Sequence, residues 1–93
     1  MKRVAVWVDG HVQGVGFRWW GQGLAQRLGL TGSVRNLADG RVEFHLQGPP
    51  ERVDEMVARL SERSSWPRRP GHVTSVEVTA EPVVPGEQSF DLR

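Results

Sequence analysis

No cysteine occurs in the 93 residues, and the formal net charge is only +1. Without a thiol there is no disulfide scaffold, no thiolate nucleophile and no cysteine-based metal site. The absence fits a cytoplasmic protein, although any compartment tolerates it. Near-balanced charge leaves no strong positive field for nucleic acid or for a polybasic membrane anchor. Lys2 is the only lysine; every other basic side chain is arginine. No apolar run approaches the ~20 residues needed to span a bilayer. The N-terminal MKRVAVWVDG is basic at its start, but Asp9 breaks its apolar stretch, so it reads as a strand and not as a signal peptide. Internal repeats and low-complexity segments are also missing. What remains is the composition of an ordinary soluble globular protein, 38% hydrophobic and 25% charged. Its length predicts one domain over residues 1–93.

Periodicity supplies the elements. Residues 4–8, VAVWV, are apolar on both faces, as a central strand requires. Gly10 to Gly16 reads as a loop. Phe17, Trp20, Leu24 and Leu28 then recur at helical spacing, with Gly21 and Ala25 widening the stripe and Gly29 placed as a C-terminal cap. Both Trp19 and Trp20 are expected in the core or at its rim. GSVRNL leads into Ala38-Asp39-Gly40, a strong hairpin signal. RVEFHLQ alternates cleanly, which predicts Val42, Phe44 and Leu46 inward and Arg41, Glu43, His45 and Gln47 on a wet face. Pro49-Pro50-Glu51 opens a second helix with Val53, Met56, Val57 and Leu60 as its stripe. SERSSWPRRPG is expected as a loop, with Trp66, Arg68 and Arg69 solvated. VTSVEVTA forms a strand with Val76, Val78 and Ala80 on one face, VVPGEQ turns, and SFDL adds a short last strand. The order βαββαβ is the split βαβ pattern of a ferredoxin-like α+β fold, with two helices on one face of a mostly antiparallel sheet.

The stretch GHVQGVGFRWW, Gly10 to Trp20, places three glycines between a strand end and a helix start, followed at once by Arg18. Glycines let successive backbone N–H groups turn toward one point. A helix N-terminus adds unpaired donors and partial positive charge. A cation there opposes the dipole unless an anion is bound as well, and a guanidinium offers a planar fork to two phosphate oxygens. The stretch therefore suits a phosphate cradle. It is neither a Walker loop nor a dinucleotide fingerprint. A plain tight turn with a surface arginine nearby has the same composition and is the commoner case.

GHVQGVGFR resembles the first signature of the acylphosphatase family: glycine, any residue, Val-Gln-Gly-Val, any residue, Phe-Arg. A second signature follows in GSVRNLADGRVEFHLQG, where Gly32, Val34, Arg35, Asn36, Gly40, Val42 and Gly48 match. Ser33 departs from it, standing where the family carries an aromatic residue, which predicts less packing near the hairpin. The resemblance spans roughly the whole chain. It implies hydrolysis of the carboxyl–phosphate bond of small acyl phosphates, giving a carboxylate and inorganic phosphate. It implies Arg18 as main phosphate ligand, assisted by the backbone of Gln13, Gly14, Val15, Gly16 and Phe17, and Asn36 as the residue orienting the attacking water. No cofactor and no metal follow from it. The implied partners are the acyl phosphate and inorganic phosphate, with no nucleic acid and no membrane, and the chain is expected as a cytoplasmic monomer.

Other candidates read more plainly. His11, His45 and His72 are scattered without metal-ligand spacing. Asp39 is explained by its turn and Asp9 by the start of the loop. An RNA-binding module shares the element order, but RVEFHLQG offers Phe44 alone, on the inward face. A phosphate-binding or carbamoyl-transfer maturation module is the remaining non-catalytic alternative.

Overall fold

A computed structural model describes residues 1–62 and 69–93. In chain order the elements are β1 (Lys2–His11), α1 (Phe17–Arg27), β2 (Thr31–Asn36), β3 (Val42–Gly48), α2 (Pro50–Ser61), β4 (His72–Ala80) and β5 (Phe90–Leu92). The strands form one sheet in the order β4-β1-β3-β2-β5. All pairs are antiparallel except β2 with β5, which is parallel. This is the expected βαββαβ frame with its short extra strand. β1 runs to His11, past the Gly10 where the loop was expected, because a register shift at Asp9/Gly10 lets it keep pairing with β4.

Alternation fixes which side is filled. Val4, Val6 and Val8 of β1, Val34 of β2 and Val42, Phe44 and Leu46 of β3 are buried on the side that carries both helices. Phe17, Leu24 and Ala25 of α1 and Val53, Met56 and Leu60 of α2 close that core. Gly21 allows the close fit: a Cβ there would lie 2.6 Å from the Phe44 ring. Leu28 ends α1, and Gly29, with φ of 72°, reverses the chain. The Leu30 amide then donates to the Ala25 carbonyl at 2.9 Å and the Gly29 amide to Gln26 at 3.0 Å, which is the paired-bond cap expected of glycine at that place. β4 is an edge strand. Val73 is buried, but Val78 and Ala80 of its apolar face stay exposed.

The other face of the sheet departs from the expectation of a wet surface. β4 and β5 lie at opposite edges, so the segment between them, residues 81–89, must cross the sheet. It covers the helix-free face. Glu43 is only 8% exposed and Gln47 3%. The Gln47 amide pairs with the Val84 backbone in both directions, accepting from its N–H at 2.7 Å and donating to its carbonyl at 2.9 Å. Arg3 donates from Nε to Glu81 at 2.9 Å and from Nη1 to Glu87 at 2.8 Å. His45 stands between Glu81 (2.7 Å) and Glu43 (3.1 Å). Arg35 and Trp7 also donate to Glu43. Burial raises the Glu43 carboxyl, but the donors from Arg35, Trp7 and His45 outweigh it and hold it below the usual carboxylate range. Ser33 is buried on this face, opposite the side on which Asn36 lies, and lines a cavity of about 560 Å³ under the crossing segment. The missing aromatic therefore changes packing beneath the strap.

Arg69 also differs from expectation. It is 3% exposed, and its Nη1 donates to the Arg59 carbonyl in the last turn of α2 at 3.0 Å. A helix C-terminus leaves carbonyls without intrahelical partners, and a guanidinium satisfies one of them. Trp66 and Arg68 lie outside the described residues.

Candidate active site

β1 and β2 run in the same direction on either side of β3, so their C-terminal ends share one end of the sheet. The loop from Val12 to Gly16 leaves β1 there and α1 begins beside it. Gly14 and Gly16 have φ of 75° and 84°, the left-handed region that other residues seldom enter. A Cβ on either would meet nothing within 4 Å. Glycine is needed at these two positions for backbone shape, and both open onto free space. Gly16 precedes the first helical residue; no side chain caps α1, and no acidic residue occupies its first turn. The first amides of α1 thus keep the donors and the partial positive charge of a helix start.

The cavity formed here measures about 190 Å³. The cradle supplies Val12, Gly14, Gly16 and Phe17, the first helical turn adds Arg18 and Trp19, and Asn36 closes it from β2. No acidic side chain is among these. Arg18 Nη1 donates to the main-chain oxygen of Arg93, and no aspartate or glutamate among the described residues pairs with Arg18. Its guanidinium is anchored at one nitrogen. Arg93 is itself held to the sheet, its amide donating to Val34 at 2.8 Å. A small hollow with a guanidinium, a helix start and no acidic side chain has the chemistry that suits an anion.

Asn36 pairs with Val42, which pairs with Val8, so it lies two strands from β1. That is roughly 10 Å at the usual strand spacing. The side chain of Gln13 closes the distance. Its Nε2 donates to the Leu37 carbonyl at 2.7 Å and to the Arg41 carbonyl at 3.0 Å, clamping the β2–β3 turn against the cradle. Each such bond contributes about 1 kcal/mol. Among the described residues the Asn36 amide makes no side-chain hydrogen bond, so it is not consumed by its own turn.

Sequence-predicted positions therefore converge in part. Gly14, Gly16, Phe17, Arg18 and Asn36 line one cavity. Gln13 directs its side chain to the hairpin, and Val15 packs on the core edge. Two features escaped sequence reasoning: the Arg93 main-chain oxygen behind Arg18, and Trp19, which lines the cavity at 75% exposure and is not in the core. Trp20 does pack, tilted on Phe17 with ring centroids 5.5 Å apart. The remaining candidates stay outside. Asp39 accepts from the Arg41 backbone and guanidinium, which lower its carboxyl below the usual value, the backbone bond contributing most. Asp9 accepts from the Gly10 amide at 2.9 Å. His11 and His72 are exposed register partners across β1 and β4, and among the described residues no three histidine or carboxylate groups gather as a metal site.

The model of the acylphosphatase family matches residues 4–92. The chain belongs to the acylphosphatase family. Membership makes it a hydrolase that acts on acyl phosphates. It is 52% identical to an acylphosphatase of Corynebacterium glutamicum over 81 residues, covering 86% of each chain. It is 45% identical to one of Nocardia farcinica over 91 residues, covering 98% of this chain and 87% of the relative. The crystal structure of the acylphosphatase from Bacillus subtilis superposes with a TM-score of 0.87 at 34% identity, covering 100% of this chain and 99% of that one. The fold is thus that of an acylphosphatase, and no helix among the described residues is long and apolar enough to cross a membrane.

Proposed function

We propose that this acylphosphatase binds the phosphoryl group of a small acyl phosphate on Arg18 and the Gln13–Phe17 backbone, and that Asn36 orients a water molecule for direct attack on phosphorus. The observation that supports it is the single cavity of about 190 Å³ that Arg18 and Asn36 line from different elements, with the free start of α1 between them. In the step, the water oxygen forms a bond to phosphorus, the phosphorus–carboxyl oxygen bond breaks, and the bond pair leaves with the carboxylate. The water's protons pass to phosphate and solvent. Arg18 and the amides stabilise charge on the non-bridging oxygens, and positioning supplies most of the remaining acceleration. The parent acid of the leaving group has a pKa of about 4 to 5, so no general acid is required. No covalent nucleophile, cofactor or metal ligand set enters the scheme. The same reading takes residues 1–93 as one domain, a cytoplasmic monomer without nucleic-acid partners. One continuous sheet supports the single domain, and the burial of Phe44 on the helix side speaks against an RNA-binding face.

Asn36→Ala tests the mechanism. The expected result is a kcat for acetyl phosphate lowered about a hundredfold, the scale of losing one preorganised polar group. Inhibition by inorganic phosphate and the unfolding midpoint should be unchanged. A normal kcat, or a loss that tracks unfolding, refutes the water-positioning role.

A further inference from the structure

Trp19 is the one large apolar side chain of the cradle left in solvent. It is the third residue of α1, and helical side chains lean toward the N-terminus of their helix, which here is the cradle. Its indole lines the cavity mouth beside Arg18, and among the described residues it makes no ring contact, whereas Trp20 stacks on Phe17. Helix packing does not explain it. A substituent on the carboxyl carbon that reaches toward Trp19 meets a flat apolar surface there.

Resting on the acyl-phosphate reading above, we propose that Trp19 is the acyl-group platform and selects acyl phosphates with a flat, aromatic substituent over those with a small aliphatic one. The acyl group stacks on the indole while Arg18 and the loop hold the phosphoryl end. The platform touches a part of the substrate that is not remade in the reaction, so it stabilises ground and transition states alike. Such uniform binding acts on KM and not on kcat. Aromatic pairing of this kind corresponds to about three- to tenfold in affinity.

The experiment compares benzoyl phosphate with acetyl phosphate for the unsubstituted chain, Trp19→Ala and Trp19→Phe. It also measures, by calorimetry, binding of phenacylphosphonate and acetonylphosphonate, in which a methylene replaces the bridging oxygen. Trp19→Ala should raise the KM for benzoyl phosphate three- to tenfold more than that for acetyl phosphate. It should weaken phenacylphosphonate by the same margin, and Trp19→Phe should restore most of both. Hydrolysis of acetyl phosphate by the unsubstituted chain tests the cradle, and the ratio between the two ligands tests the indole. Equal effects of Trp19→Ala on both phosphonates, with normal hydrolysis, overturn the platform alone. Absence of acetyl phosphate hydrolysis by the unsubstituted chain overturns both readings.

Discussion

Arg3 and Arg18 are the same side chain put to opposite uses at opposite ends of the sheet. Arg3 is 10% exposed and donates to two carboxylates, Glu81 and Glu87, and to the Gln47 side chain. Its charge is consumed in holding the segment that crosses the helix-free face. Arg18 donates to a main-chain oxygen and to no acidic side chain, beside a helix start without an acid. No side-chain carboxylate lines the cavity beside it. Two arginines of equal sequence weight thus differ in what surrounds them, one set among carboxylate side chains and the other beside a cavity without any.

The comparison can be broken most sharply at Arg18. Arg18→Lys keeps the charge and removes the fork. The expected kcat/KM for acetyl phosphate falls about a thousandfold, the lower range for a guanidinium at a transferring phosphoryl group, with competition by inorganic phosphate lost and the unfolding midpoint unchanged. Near-normal kinetics would make Arg18 no different from any surface arginine. Arg3→Met should do the reverse. It leaves Glu81 and Glu87 partly buried without their cation, and about 2 to 3 kcal/mol of stability should be lost, somewhat below the range for a fully buried pair. The kcat per folded molecule should hold. Urea unfolding and active-site titration on one preparation check both halves.

The smallest effect is that of pH on the covered face. Because the folded-state carboxyl of Glu43 titrates below its ordinary value, the stability it contributes is present above that ordinary value, near 4.5. It is lost as pH falls through the lower, folded-state value. Unfolding midpoints measured downward from pH 6 should show an acid loss of about 1 kcal/mol that Glu43→Gln abolishes. An acid limb of unchanged size in Glu43→Gln would place its origin elsewhere.

Legibility followed the range of the interaction. The stripe of α1, the Gly29 cap, the Asp39-Gly40 turn and the inward row Val42, Phe44, Leu46 rest on neighbours a few positions apart, and periodicity exposes them. Arg18 and Asn36 were legible through two signatures that bring distant segments together. The crossing of residues 81–89 was not, because alternation shows that a strand face is polar and not what lies over it. That is why Gln47 was expected in water; Glu43 is covered by side chains of its own sheet, Trp7, Arg35 and His45, which alternation equally leaves out. Arg69 was misread for the same reason: its acceptor is a carbonyl ten positions away at a helix end. The exposure of Trp19 was hidden because, one step from Trp20, it shares its composition but not its helical face.

The contact between Arg18 and Arg93 spans 75 positions, and that between Arg3 and Glu87 spans 84. Chain-closure entropy must be overcome before contacts so remote can contribute, and folding slows as their share grows. The three residues of β5 have little local structure of their own and can dock only after β2 has its neighbour β3 and the strap has crossed. The Arg18 contact is therefore among the last that the topology allows. A chain with its helices and its first four strands already formed still lacks the main-chain oxygen on which Arg18 is anchored, and refolding followed by activity and by far-UV circular dichroism should show activity returning last.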